Sequence, residues 1–340
     1  MRNPVRGALS AMLCALFLTT ALAACGSDSD SDSASGQVIG SVDTAYGNIE
    51  VRAPEEGDPK IVALGWSDGE IALSLGYKPV AIFDWQGFGE EYKGVGPWAT
   101  EQFGDVSPTI MPVGDGTFNY EQILMMEPDV ILNVRSKLDD KVYERLSQIA
   151  PTISAPAGTP DYAINWREQT DIIAQALGKT AEGDAQVADT DAKITAAKEA
   201  NPQFAGKTFV YGAKFGQAYG AYLPGDSRFD VFAEMGFVPN PPVQQLSASG
   251  FFANVPVERV AALDANVSAL TTIYLPMSDL TGDPLINALP VVKDGRAVFL
   301  DEKSEVNQGL QAGTPQSLAV ALDQAVPQVQ QAVAKLPQTQ

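Results

Sequence analysis

The sequence predicts an α/β protein of two similar lobes, joined by one long helix, with a ligand cleft where the lobes face each other. Three observations predict it. Short apolar runs of strand length lead into glycine and helix-capping residues, the pattern of buried parallel strands in βα units. The pattern occurs twice: Glu121-Gln-Ile123 with Asp129-Val130 recurs as Glu258-Arg-Val260 with Asn266-Val267, both offset by 137 residues. Between the halves, Gly183 to Asn201 is rich in alanine and charge and reads as an uninterrupted helix.

The elements follow in order along the chain. Arg2 and Arg6 precede an apolar run from Ala8 to Ala24, and Leu22-Ala23-Ala24 leads to Cys25. A basic start, an apolar stretch and small residues before a cleavage point make a secretory signal over residues 1–24. With Cys25 as first mature residue the segment resembles a bacterial lipoprotein signal, which implies a diacylglycerol thioether on Cys25; an ordinary signal with an incidental cysteine is the alternative. Residues 25–37 continue as an alternating Ser-Asp stretch that buries too little to offset its conformational entropy, a flexible linker.

The first lobe is expected over 38–182. Lys60 to Gly65 reads as a buried strand, and Ser67 or Asp68 can cap a helix that stops at Gly76. Pro79 to Phe83 is a second strand. Asn119 can cap a short helix from Tyr120 to Met126, and Val130 to Val134 returns as a strand. The connecting helix spans 183–202 and ends at Asn201-Pro202; at ~1.5 Å per residue it reaches about 27 Å, the width of a domain. The second lobe, 203–340, opens with the strand Thr208 to Gly212 and a helix around Phe229 to Met235, and Leu75-Gly-Tyr-Lys-Pro79 is echoed by Met235-Gly-Phe-Val-Pro239. Ligands of such α/β sheets bind near the strand C-termini, here between two Rossmann-like lobes.

Composition excludes several classes. Without residues 1–24, 20 basic residues face 42 acidic ones, a net charge of −22 that suits neither nucleic acid nor an anionic membrane surface. The chain has no histidine, which removes Ser-His-Asp and Cys-His catalysis, HExxH zinc sites and His-ligated haem. Cys14 leaves with the signal and Cys25 would be lipidated, so the mature domain has no disulfide and no thiolate ligand. No apolar run beyond the signal approaches a membrane span of about 20 residues. Binding is therefore favoured over catalysis, with no cofactor expected. A secreted hydrolase would need a pair of close carboxylates with separated pKa values, and the sequence offers no convincing pair. A scaffolding lipoprotein would not require an aromatic cleft.

From about Val38 to its end the chain resembles the substrate-binding proteins of ABC importers for ferric siderophores, haem and cobalamin. The resemblance rests on the order of Thr44-Ala-Tyr-Gly-Asn-Ile-Glu-Val51, Asn119-Tyr-Glu-Gln-Ile-Leu-Met-Met-Glu-Pro-Asp-Val-Ile-Leu132, Leu146-Ser-Gln-Ile-Ala-Pro-Thr-Ile153, Trp166-Arg-Glu168 and Pro284 to Val298. Gly65-Trp-Ser-Asp68, with all four tryptophans in the first half, looks most like the ferric-siderophore branch of Gram-positive bacteria. Haem and cobalamin receptors of the same fold are the alternatives. The resemblance implies a monomer, extracytoplasmic and tethered to the cell membrane only by its lipid, that passes a chelate to a dimeric permease. It further implies that Glu121 and Glu258 dock that permease; a local role at a helix N-terminus is the competing role of each.

A ferric siderophore arrives with its iron already ligated, so no protein metal ligand is required. Aromatic walls and a few donors are. Candidates at strand-to-helix turns are Trp66, Trp85, Tyr92, Trp98 and Arg135 in the first lobe. In the second they are Lys214, Phe215, Tyr219, Tyr222, Arg228 and Tyr274. Trp66 fits cleft and core alike, Trp85 and Trp98 flank the glycine-rich stretch 87–96, and Trp166 reads as helix packing. Arg135 ends a buried strand, where an idle charge is costly. Lys214 could be a solvated loop lysine and Arg228 a local loop cap.

Overall fold

The computed structural model describes residues 36–112 and 117–337. The signal segment and Cys25 lie outside the described residues. The first half opens with an antiparallel hairpin of β1 (Val38–Thr44) and β2 (Gly47–Arg52). It continues with β3 (Ile61–Ala63), β4 (Ala81–Asp84), β5 (Thr109–Pro112), β6 (Val130–Asn133) and β7 (Thr152–Ser154). These five form a parallel sheet in the order β5-β4-β3-β6-β7. The strands read as unbroken apolar runs because both sheet faces are covered. Ile61, Val130 and Leu132 join the core on one face, whereas Val62 and Ile131 join the other.

The second half carries β8 (Thr208–Phe215), β9 (Ala218–Tyr222), β10 (Val238–Pro239), β11 (Ala248–Ser249), β12 (Phe252–Val255), β13 (Val267–Thr272) and β14 (Ala297–Phe299). Their order is β11-β12-β9-β8-β13-β14, with β10 beside the start of β8. The repeat found in the sequence has a structural counterpart. Asp129, just before β6, accepts the backbone N–H of Lys60 at the head of β3 at 2.7 Å. Asn266, just before β13, accepts the N–H of Thr208 at the head of β8 at 2.9 Å. In each half the two strands so joined are parallel neighbours.

A 21-residue helix, Thr180–Ala200, connects the halves. It begins three residues before the expected Gly183 and ends, as the sequence indicates, at Asn201-Pro202. Gly183 is needed inside it: a Cβ there would meet the Cβ of Ala174 on the preceding helix, Trp166–Ala176, at 2.5 Å. Arg167 then ties three elements together. Its guanidinium forks onto both carboxylate oxygens of Glu234 in helix Ser227–Glu234, at 3.0 and 2.7 Å, and pairs with Asp191 on the long helix. Trp166 is buried in the second lobe's core, as its helix-packing role requires.

The C-terminal helices Glu305–Ala312 and Pro315–Val333 also reach the first lobe. Gln86 donates to the Gln308 carbonyl at 3.1 Å, Gln102 to Gln316 Oε1 at 2.9 Å, and Lys193 on the connecting helix pairs with Asp323 at 2.7 Å. The lobes are thus braced by the C-terminal helices as well as joined by the connecting helix. Among the described residues no helix is long and apolar enough to cross a membrane.

Candidate functional site

A cavity of about 1260 Å³ opens between the lobes at the C-terminal ends of β3, β4, β6 and β13. Its first-lobe wall is a stack of three rings. Trp66 lies 4.3 Å from Trp85 with planes 3° apart, and 4.3 Å from Tyr162 on its other side. Phe83 and Phe118 extend this wall edge to face. Opposite stand Tyr222, Phe251, Phe252 and Tyr274, with the Arg228 guanidinium 3.6 Å above the Tyr222 ring. Polar groups at the cavity include Gln86, Asn133, Ser136, Gln308 and Gln311, with charge at Lys137, Asp139, Asp301, Glu302 and Lys303.

Local chemistry explains why the stack stands where it does. Trp66 donates its N–H to the Arg135 carbonyl at 2.9 Å and accepts from Gln169 Nε2 at 2.8 Å, so its backbone is held from both sides. The sequence expects Ser67 or Asp68 to cap the next helix, Asp68–Ser74. Ser67 instead adopts a left-handed φ of 63° with no side-chain cap, and its hydroxyl accepts from Trp85 Nε1 at 3.3 Å. Asp68 turns inward, accepting from Val134 N and Gln169 Nε2, both at 2.7 Å. That carboxylate pins the helix start to the end of β6 and so aims Trp66 at the cleft.

Of the candidates, the structure brings Trp66, Trp85, Tyr222, Arg228 and Tyr274 together at the cavity. The other six are not among its lining residues, although Arg135 stands directly behind Trp66 and Trp85. Trp98 turns inward to donate its indole N–H to buried Glu70 at 2.7 Å, and Tyr92 packs edge-on against Phe88. Lys214 and Tyr219 form a cross-strand pair, both bonded to Asp283 behind the sheet. Their segment is a hairpin rather than an open loop, with Gly216 at φ 54° in its two-residue turn. Tyr219 and Tyr222 are three residues apart on β9, so they face opposite sides of the sheet, and only Tyr222 reaches the cleft. Phe215 packs behind Phe252, 5.8 Å between centroids.

Arg135 is not a free donor. Its guanidinium gives hydrogen bonds to the carbonyls of Tyr162, Gln311 and Ala312 at 3.2, 3.1 and 2.9 Å, and sits 5.7 Å from the Trp66 ring centroid. Burial lowers its pKa to about 10, with Arg228 adding to the effect and Asp226 opposing it. Arg228 keeps its charge through Asp226, whose two oxygens accept from Nε and Nη2 at 2.7 Å each. Tyr162, Phe251, Phe252 and Gln86 escaped sequence reasoning. Gly250-Phe251-Phe252 was the available signal, an aromatic pair after a glycine ahead of a β-strand pattern.

Two buried carboxyls stand behind the stack. Burial raises Glu70 to about 7 and Asp68 to about 6, although each accepts hydrogen bonds that oppose the shift. Burial also raises Asp230 to about 6. All three bind protons more tightly folded than unfolded, so their contribution to stability is present below the unfolded carboxylate pKa and is lost as pH rises through about 6 to 7. With no histidine in the chain to oppose them, unfolding free energy is expected to fall between pH 5 and pH 8. Glu70 alone gives a loss on the order of 2–3 kcal/mol. Urea titrations at stepped pH test this; a flat or rising profile would contradict it.

Residues 61–303 match the family model for periplasmic binding proteins. A 141-residue stretch is 30% identical to the probable siderophore-binding lipoprotein YfiY of Bacillus subtilis (strain 168), covering 41% of this chain and 39% of that protein's length. The fold is similar to the periplasmic solute binding protein of Mycobacterium smegmatis, with 28% identity, a TM-score of 0.74, and 86% and 98% of the two chains covered. It is also similar to PiaA of Streptococcus pneumoniae TIGR4, solved with ferrichrome, at 23% identity and a TM-score of 0.70 over 87% and 99% of the chains.

Proposed function

We propose, because the chain belongs to the periplasmic binding protein family, that it captures a ferric siderophore outside the cytoplasm and delivers it to an ABC importer. The observation that carries this reading is the cleft itself. Two aromatic walls and a ring of amides and charges suit a bulky, prechelated cargo, which needs apolar surface for its body and hydrogen bonds for its periphery. Trp66, Trp85, Tyr222, Arg228 and Tyr274 would contact the chelate, together with Tyr162 and the Phe251-Phe252 pair. YfiY, named as a probable siderophore-binding lipoprotein, and PiaA, solved with ferrichrome, point to the same cargo class.

Glu121 and Glu258 are both exposed, each at the start of a short helix that leads into β6 or β13. Apolar side chains stand open beside them: Leu124 is 57% and Met125 77% exposed, and Val257 44%. A carboxylate flanked by exposed apolar groups, one on each lobe, is a fitting pair of contacts for basic pockets on two permease subunits. Cys25 and the linker over 25–37 would tether the domain to the outer face of the membrane as a monomer.

Titration followed by tryptophan fluorescence tests the reading, because Trp66 and Trp85 form the wall. Saturable quenching by a ferric siderophore at sub-micromolar Kd, absent with the iron-free form, is expected. Response to haem or cobalamin alone would assign the cleft to another member of the fold. No response to any of these would refute the reading.

A further inference from the structure

The charges around the cleft discriminate among iron chelates. Both buried cations beside it already have partners that offset or hold them. The Arg228 charge is offset by the two-point contact of Nε and Nη2 with Asp226, and Arg135 gives Nε and Nη1 to three backbone carbonyls. What remains at the cavity is Lys137, with its Nζ 3.9 Å from Asp139, and Lys303, adjacent in sequence to Asp301 and Glu302. Three carboxylates therefore face two ammonium groups, within a chain of strong net negative charge.

The buried polar groups tell the same story. Gln86 directs its Nε2 at the Gln308 carbonyl and at Gln311 Oε1, both acceptors, which fixes the amide orientation. Its Oε1 is buried without a protein partner, and so is Oδ1 of Asn133, a residue 5% exposed. Both residues line the cavity. Buried acceptors without partners are costly, at about 1–3 kcal/mol each, and a ligand that brings N–H groups relieves that cost. An anionic chelate brings oxygen acceptors instead.

Resting on the reading of the cleft as a ferric-chelate site, we propose that it selects a ferric tris-hydroxamate, neutral or carrying a pendant ammonium, over anionic tris-catecholate and citrate-type chelates. Three hydroxamates cancel the ferric charge, whereas three doubly ionised catecholates leave it strongly negative. An ammonium on the hydroxamate's periphery is attracted by the Asp301-Glu302 rim, and amide N–H groups there suit a wall whose unpaired buried polar atom, Gln86 Oε1, is an acceptor. A strongly anionic chelate would meet that rim with no cation at the cleft whose charge is not already balanced, since Asp226 offsets Arg228.

The test is a set of parallel fluorescence titrations of the purified mature protein with ferrioxamine B, its N-acetylated form, ferric enterobactin and ferric citrate. Ferrioxamine B is expected to bind at least about 100-fold more tightly than either anionic chelate. Acetylation, which removes the ammonium, is expected to weaken binding about threefold, and Glu302→Gln to abolish that difference. Equal or tighter binding of ferric enterobactin or ferric citrate would overturn the selectivity and leave the siderophore reading standing. Silence with every chelate would remove both.

Discussion

Reversing both exposed glutamates, Glu121→Arg with Glu258→Arg, is expected to abolish iron uptake by cells while the purified protein binds its chelate with unchanged Kd. The expectation follows from placement. Both side chains lie on the surface outside the cavity lining, so neither variant disturbs the stacked rings or the amides. Each replacement puts a cation where a complementary basic pocket would approach, and like-charge juxtaposition in an interface costs several kcal/mol. Each single variant is expected to be intermediate. Radiolabelled uptake beside a fluorescence titration separates the two quantities. A double variant that still imports, or that loses affinity, would show that these glutamates do something else.

The second large effect concerns stability. Arg135→Met is expected to lower unfolding free energy by about 3–5 kcal/mol, because removal of one member of a buried charge set leaves the others uncompensated. Asp68 and Glu70 would lose their nearest opposite charge, and the carbonyls of Tyr162, Gln311 and Ala312 would lose their donor. Raising the proton concentration neutralises Glu70 first, so the deficit is expected to shrink below pH 6. Chemical denaturation of the variant at pH 5.5 and 8 checks both size and trend. A change under about 0.5 kcal/mol, the range of an ordinary surface substitution, would mean that water replaces the guanidinium.

The fold was largely legible because it is written in periodicities that sheets and helices cannot evade. The strand at Ile61 and the helix capped by Asn119, whose Oδ1 accepts from Gln122 N, appear within a residue or two of their expected limits. The site was legible only in part. Trp66 and Trp85 were recoverable because they follow strand ends. Lys214, Tyr219 and Arg135 were misjudged for one shared reason: their partners, Asp283 and the carbonyls of residues 311–312, lie 60 to 180 residues away in sequence. A local pattern states that a polar group exists at a strand end; it does not state which distant group has already claimed it. Tyr162 was hidden differently, in a loop with no periodicity, at a left-handed φ of 58° that its neighbours alone would not suggest.

The Arg167 fork on Glu234, its pairing with Asp191 and the bridges from the C-terminal helices leave little room for the two halves to swing apart. Empty and loaded molecules would then present almost the same outline to the transporter. Unladen copies would queue at the same berth as laden ones, so crowding the cell surface with receptor while the chelate is scarce should slow import rather than speed it.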